Sequence, residues 1–199
     1  MNICVYGAAS PNISKVYLEY MEILGRKLAE RGHDLVFGAG CFGEMGAAAR
    51  GFKAGGGKVF GIVPKYFTDD LIEPLFQNCD EFILTDDLND RKSIMEERAD
   101  AFVIAPGGVG TFDEFFQIMT LRQLQKLIKP IALFNISGYY NIVNELLEQA
   151  GRENFLHDNW RDLYRSFAEN EMDELIAYLE AAPVTDMVKI SDIGYGRQQ

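Results

Sequence analysis

Short runs of β-branched and aromatic residues alternate along the chain with longer segments in which apolar residues recur every three or four positions. This alternation predicts parallel strands connected by amphipathic helices. The predicted strands are residues 3–6, 35–37, 59–63, 81–84, 101–105 and 131–134. The predicted helices are residues 14–31, 42–54, 87–98, 112–127, 140–150 and 171–180, the last with Asn170 as its N-cap. The fold class is therefore α/β, a Rossmann-like doubly wound parallel sheet flanked by helices.

Length and composition narrow the function classes. A chain of 199 residues accommodates one domain, which we place at residues 1–183, followed by a tail at 184–199. A net charge of −11 repels phosphate backbones and acidic lipids, so neither nucleic acid nor a membrane is expected as a partner. Three cysteines without CxxC spacing and two histidines do not form an ordinary zinc site. With no long apolar segment, a cytoplasmic location is expected.

Three glycine-containing corners follow predicted strands, and parallel strands bring such corners to one edge of the sheet. The first, residues 7–10, ends in Ser10. Ligand binding through the backbone and the Ser10 hydroxyl and a plain tight turn are equally consistent with it. The second, residues 38–43, matches G-x-G-x-x-G, but the next strand does not end in the acid that dinucleotide binding requires. This argues against a dehydrogenase. Gly38 and Gly40 remain open to either ligand binding or close helix packing.

The third corner, residues 105–114, is the most informative. Gly107, Gly108 and Gly110 expose backbone N–H groups just before a predicted helix, which predicts a phosphate-binding loop. The structural alternative is a capping box formed by Thr111 and Glu114, although such a box does not require glycines.

Arg91 is the candidate cation of the same site. Leu88, Arg91 and Met95 have helical spacing, which predicts that they share a face and that Arg91 points inward. A buried guanidinium needs a partner, either a ligand phosphate or an acid such as Asp87. Lys92 is expected to contact solvent or a surface acid.

The chain resembles the Lonely Guy family of cytokinin riboside 5′-monophosphate phosphoribohydrolases, formerly described as lysine decarboxylases. Residues 106–114, PGGVGTFDE, resemble the family signature PGGxGTxxE. Residues 91–95, 99–102, 4–10 and 37–46 resemble further family segments in the same order. The likeness covers roughly residues 2–180. No lysine is marked as the Schiff-base residue of a pyridoxal phosphate decarboxylase.

The resemblance implies that Arg91 and Glu114 are catalytic and that no metal or cofactor takes part. It also implies a homodimer or higher homo-oligomer. The residues assigned to substrate binding are Ser10, Gly38, Gly40, Leu88, Lys92, Gly107, Gly108, Val109, Gly110 and Thr111. Three positions depart from the family pattern, namely Asp113, Leu88 and Glu44, and the last is expected to influence the choice of base.

The expected reaction is hydrolysis of the N-glycosidic bond of a nucleoside 5′-monophosphate, such as AMP or an N6-modified AMP, to the free base and ribose 5-phosphate. Glu114 would orient or deprotonate the attacking water and stabilise the cation-like ribose. The alternative is a carrier that binds a nucleotide or phosphorylated cofactor without cleaving it, as molybdenum-cofactor carriers do. Such a carrier has no chemical need for the Arg91 and Glu114 pair.

Overall fold

The computed structural model describes residues 1–69 and 74–181. Seven parallel strands form one sheet in the order β4-β3-β2-β1-β5-β6-β7. The strands are β1 (Asn2–Tyr6), β2 (Asp34–Phe37), β3 (Val59–Pro64), β4 (Glu81–Thr85), β5 (Ala101–Ile104), β6 (Ile131–Phe134) and β7 (Arg165–Phe167). The chain winds outward from β1 in both directions, which confirms the doubly wound α/β fold.

Helices cover both faces of the sheet. They are α1 (Lys15–Glu30), α2 (Gly43–Ala54), α3 (Lys65–Asp69), α4 (Leu88–Arg98), α5 (Val109–Gln123), α6 (Asn141–Arg152) and α7 (Met172–Glu180). Short 3-10 turns lie at Ile136–Gly138, Trp160–Asp162 and Glu169–Glu171. Within the described ranges, none of the helices combines the length and apolar character needed to cross a membrane.

The hydrophobic core has two layers, one on each side of the sheet. Ile3 and Val5 of β1 pack with α1, α2 and α7, whereas Cys4 and Tyr6 pack with α4, α5 and α6. This division follows from the strand period of two, which sends successive side chains to opposite faces. β1 is buried on both faces and is the central strand on which the sheet is built.

The six predicted strands and six predicted helices are present, with ends that shift by up to four residues. β7 and α3 were missed because they have only three and five residues and show little periodicity. Asn170 is not the N-cap of α7, since it lies within a 3-10 turn and Glu171 occupies the cap position. The predicted tail at residues 184–199 lies outside the described residues.

Candidate active site

Backbone hydrogen bonds join the three glycine-containing corners at one edge of the sheet. The amide of Ala8, in the first corner, donates to the carbonyl oxygen of Pro106 in the third corner at 3.1 Å. The amide of Met45, in the first turn of α2, donates to the carbonyl oxygen of Ala8 at 3.2 Å. Gly43 has a φ of 58°, and a Cβ atom there would lie 2.2 Å from the carbonyl oxygen of Ala8. The corners therefore form one connected surface.

The third corner is shorter than the sequence predicts because α5 begins at Val109 instead of Phe112. Gly108 is the N-cap, and the first helical bond runs from the amide of Phe112 to the Gly108 carbonyl oxygen at 3.0 Å. Thr111 is thus the third helical residue and Glu114 the sixth. Neither occupies the N-cap, so the alternative of a capping box formed by these two residues is wrong. The amides of Val109, Gly110 and Thr111 lie in the first turn, where helices have N–H groups without helical acceptors and a positive dipole end.

Glycines in this corner serve two purposes. A Cβ atom on Gly107 would lie 2.1 Å from Oγ1 of Thr111, so close packing requires glycine there. Cβ atoms on Gly108 and Gly110 would meet no atom within 4 Å. Packing within the described chain therefore gives no reason for glycine at these two positions, whereas close approach of a ligand to the backbone does.

Two tyrosines that follow β6 donate hydrogen bonds to backbone carbonyl oxygens of the third corner. The hydroxyl of Tyr139 donates to the carbonyl oxygen of Gly107 at 2.7 Å. The hydroxyl of Tyr140 donates to the carbonyl oxygen of Ala105 at 2.6 Å. Neither tyrosine is among the residues predicted for the site. No local pattern marks them, because their role depends on the pairing of β6 with β5.

Arg91 points inward from α4, as predicted, but its guanidinium contacts backbone oxygens. Nε donates to the carbonyl oxygen of Ile62 at 3.1 Å, and Nη2 donates to that of Gly38 at 3.1 Å. The guanidinium carbon lies 5.7 Å from the ring centre of Phe67. These bonds use two of the five guanidinium N–H groups, so the side chain is oriented while retaining donors for another partner.

The N-terminus of α4 explains why Asp87 is not the partner of Arg91. The Asp87 carboxylate caps the helix and accepts hydrogen bonds from the amides of Asn89 and Asp90 at 2.7 and 2.9 Å. The predicted shared face is only partly formed. Arg91 and Met95 are buried, but Leu88 is 45% exposed because it is the first residue of α4 and lies at the end of the helix.

Glu114 lies on the second turn of α5. Its side chain is partly buried, and loss of solvent raises the pKa of the Glu114 carboxyl to about 7. The positive charge of Arg91 opposes this increase, with a smaller effect from Lys92, and Asp113 adds to it. Arg91 and Glu114 are therefore electrostatically coupled. A carboxyl with a pKa near neutral pH is suited to accept a proton from water.

The remaining residues predicted to bind substrate differ in their exposure. Ser10, Gly108, Val109 and Gly110 are exposed at the edge of the sheet. Lys92 forms an ion pair with the exposed Asp113 at 2.9 Å, which confirms the expected surface acid. Its predicted contact with a substrate stays a prediction.

Gly38 and Gly40 are buried beneath this surface. Gly38 lies under the Arg91 guanidinium, and Gly40 forms an isolated antiparallel bridge with Leu75. Packing is therefore sufficient to explain glycine at position 38. Ala39 between them has a φ of 64°, which is rare for a residue with a side chain.

A cavity of about 190 Å³ lies beside the third corner, between the N-terminal part of α1 and the loop after β6. Tyr17, Tyr139, Gly107 and Gly108 contribute to its lining. Glu44, from the first turn of α2, also lines it and is fully buried. Glu44 is the departure from the family pattern that is expected to influence the choice of base. No group of three or more histidine, cysteine, aspartate or glutamate side chains in the described ranges is arranged to hold a metal ion.

The fold and the glycine-rich corners define the class as Rossmann-like α/β proteins. Residues 45–179 match a protein family described as "Possible lysine decarboxylase". Cytokinin riboside 5′-monophosphate phosphoribohydrolase LOG3 of Arabidopsis thaliana is 32% identical over 204 residues, covering 99% of this chain and 93% of that protein. LOG5 of the same plant is 33% identical over 187 residues, covering 94% and 80%. The chain belongs to the Lonely Guy family.

Solved structures show the same fold at lower sequence identity. The molybdenum cofactor carrier protein of Chlamydomonas reinhardtii has a TM-score of 0.64 and 20% identity, covering 88% of this chain and 98% of the other. The molybdenum cofactor binding protein of Rippkaea orientalis has a TM-score of 0.63 and 22% identity, covering 88% and 93%. At these identities the likeness concerns the fold alone.

Proposed function

We propose that the protein hydrolyses the N-glycosidic bond of a nucleoside 5′-monophosphate and releases the free base and ribose 5-phosphate. Water supplies the oxygen that becomes bonded to C1′ of the ribose, and the bond between C1′ and the base nitrogen breaks. The base leaves with the electron pair of that bond and takes up a proton. The observation that carries this proposal is the placement of Arg91, held inward by the carbonyl oxygens of Ile62 and Gly38, at the same edge of the sheet as the open N-terminus of α5, whose second turn bears Glu114.

Glu114 is the residue that handles the proton of the attacking water. Its pKa of about 7 leaves a substantial fraction ionised at neutral pH, and the ionised form can accept that proton. The same negative charge stabilises the positive charge that develops on the ribose as the C1′–N bond lengthens. One carboxyl therefore contributes both to activation of water and to stabilisation of the transition state.

The α5 N-terminus is the proposed anchor for the 5′-phosphate. Its first-turn amides and dipole favour an anion, and the open space at Gly108 and Gly110 allows close approach to the backbone. A phosphate held there lies far from the bond that breaks. Its binding energy can be used to position C1′ against Glu114. Arg91 contributes a fixed positive charge and the N–H groups that its backbone contacts leave available.

The family relatives support a nucleoside monophosphate as the substrate class. The Arabidopsis proteins act on cytokinin riboside 5′-monophosphates, as their names state. We extend this to AMP and N6-modified AMP for the present chain. The proposal also includes a homodimer or higher homo-oligomer in the cytoplasm, both of which stay predictions.

The direct test is to incubate the full-length protein with AMP, N6-isopentenyl-AMP and the pyrimidine monophosphates and to separate the products by chromatography. We expect equal amounts of free base and ribose 5-phosphate to appear from at least one purine nucleotide. Adenosine, which lacks the phosphate, serves as the control and should be a much poorer substrate. Binding of all nucleotides without release of base would contradict the proposal and favour a carrier.

A further inference from the structure

Glu44 is a buried acid that the proposed reaction does not use. Its side chain has 0% exposure, and neither carboxyl oxygen has a hydrogen-bond partner of normal geometry among the described residues. Buried polar groups in native proteins are normally satisfied, so an unsatisfied carboxyl in a cavity wall calls for a functional explanation. The family-like segment that contains Glu44, residues 37–46, otherwise consists mostly of glycines and apolar residues.

The cavity next to Glu44 has an uncharged, aromatic character. The rings of Tyr17 and Tyr139 meet edge to face with centroids 6.0 Å apart, and Ala8, Ile13 and Pro106 add apolar surface. Its lining, all within the described chain, contains no lysine or arginine. A phosphate would lack a cation there, whereas a neutral aromatic ring would find matching surface.

The Glu44 carboxyl is protonated, and therefore uncharged, at neutral pH. Burial raises the pKa of the Glu44 carboxyl to about 9, against a smaller opposing effect of the Ala8 backbone. The titratable groups that face it are the phenols of Tyr17, Tyr139 and Tyr140, and the phenols of Tyr139 and Tyr140 have raised pKa values. A protonated carboxyl presents one donor and one acceptor side by side. This pair is complementary to a base edge on which an amino group adjoins a ring nitrogen.

We propose that the cavity beside Gly107 and Gly108 receives the base of the nucleotide and that Glu44 hydrogen-bonds its amino-bearing edge. The inference rests on the proposed function, since it assigns a place to the base of the same nucleotide. Gly107 and Gly108 line the cavity and precede the α5 N-terminus, so the base and the phosphate lie on adjoining surfaces. The volume of about 190 Å³ is below the roughly 300–1,000 Å³ of sites that enclose whole ligands, which suits one part of a nucleotide.

The test measures binding by calorimetry in the Glu114→Gln background, so that the ligand is not consumed. The ligands are AMP, purine riboside 5′-monophosphate, which lacks the amino group, and ribose 5-phosphate, which lacks the base. Glu44→Leu removes the donor and acceptor, whereas Glu44→Gln keeps one of each. Glu19→Gln makes the same chemical change at an exposed position of α1 and serves as the matched control.

We expect Glu44→Leu to weaken AMP binding by about 10-fold or more and to leave ribose 5-phosphate binding unchanged. The preference for AMP over purine riboside 5′-monophosphate should disappear in this variant. Glu44→Gln and the control should bind AMP within about threefold of the parent. Glu44→Leu should also raise the thermal midpoint, because it removes an unsatisfied buried acid; a purely structural role predicts a decrease.

Two results would overturn the inference. Equal weakening of AMP and ribose 5-phosphate by Glu44→Leu would assign the cavity to the phosphate, and unchanged AMP binding would exclude it as a ligand site. The proposed function is tested separately by base release from the unmodified protein. Binding that depends on Glu44 without base release would therefore disprove the reaction while preserving the assignment of Glu44.

Discussion

The Arg91 guanidinium occupies the space where a Cβ atom on residue 38 would lie. Nη2 donates to the Gly38 carbonyl oxygen at 3.1 Å, and a Cβ atom added to Gly38 would come within 1.7 Å of Nη2. The second glycine-containing corner thus fixes the position of Arg91. The glycine at position 38, the first of the dinucleotide-like motif at residues 38–43, is accounted for by the packing of this cation.

Gly38→Ala should therefore act on the active site through Arg91. The methyl group would force the guanidinium away from the carbonyl oxygens of Gly38 and Ile62, leaving them without that donor. We expect a decrease in the free energy of unfolding of about 1–3 kcal/mol and a fall in kcat. Chemical denaturation and steady-state kinetics measure the two effects. Unchanged kcat in a folded variant would show that Arg91 does not need this position.

Gly110→Ala separates ligand binding from folding. A Cβ atom there meets nothing within 4 Å, and alanine is favoured over glycine in a helix by about 0.5–1 kcal/mol. We expect equal or higher thermal stability together with weaker binding of AMP. Binding of adenosine, which has no phosphate, should change much less. If both ligands were weakened equally, the α5 N-terminus would not be the phosphate site.

Glu114→Gln should abolish most of the turnover while the fold is retained. Removal of a general base typically lowers the rate by about 100- to 10,000-fold, and the amide has nearly the same shape as the acid. Glu97→Gln, an exposed position on α4, is the matched control. Measurement of adenine release from AMP compares the two variants. A Glu114→Gln rate equal to that of the parent would remove Glu114 from the mechanism.

The pH dependence of turnover should follow the ionisation of Glu114. Its pKa of about 7 lies above the ordinary value of 4.5, and the ionised form is the active one. The rate should therefore rise as pH increases through about 7 and fall below it. Arg91→Met removes the charge that lowers this pKa, so the rising limb should move to higher pH. A limb that stayed in place would show that another group titrates.

Glu44 should make folding stability depend on pH in the opposite sense to an ordinary salt-bridged acid. The folded protein retains the Glu44 proton up to about pH 9, whereas the unfolded chain releases it near 4.5. Stability should therefore decrease between these values, by at most about 1.4 kcal/mol per pH unit. Glu44→Gln should show a shallower decrease in denaturation experiments at pH 5 to 9. Equal slopes would mean that Glu44 is ionised in the folded state.

The sequence predicted the sheet and the main helices because each long element carries its own periodic signal. It also predicted that Arg91 points inward, since a charge at helical spacing from Met95 must share the buried side of α4. The start of α5 was misplaced because glycines at 108 and 110 resemble a loop. In the folded chain Gly108 is the N-cap and Gly110 is helical.

Other features of the site depend on distant contacts and could not be predicted from local sequence. Tyr139 and Tyr140 reach the third corner only through the pairing of β6 with β5. The burial of Glu44 results from packing of α2 against the first corner. A Cβ atom added to Gly7 would lie 3.3 Å from the Cβ atom of Glu44. The resemblance identified the acid as unusual, but the cavity wall that contains it is a tertiary feature.

The central position of β1 determines when activity returns as the chain refolds. Arg91 belongs to the half of the sheet wound from β1 through β4, and Glu114 to the half wound from β5 through β7. Within the sheet these halves are joined by the pairing of β1 with β5, in a register that places Ile3 beside Ala101, nearly 100 residues away in sequence. Such long-range pairing is slow to form. During refolding, recovery of catalysis would therefore report when the two halves have joined, later than signals from local helix formation.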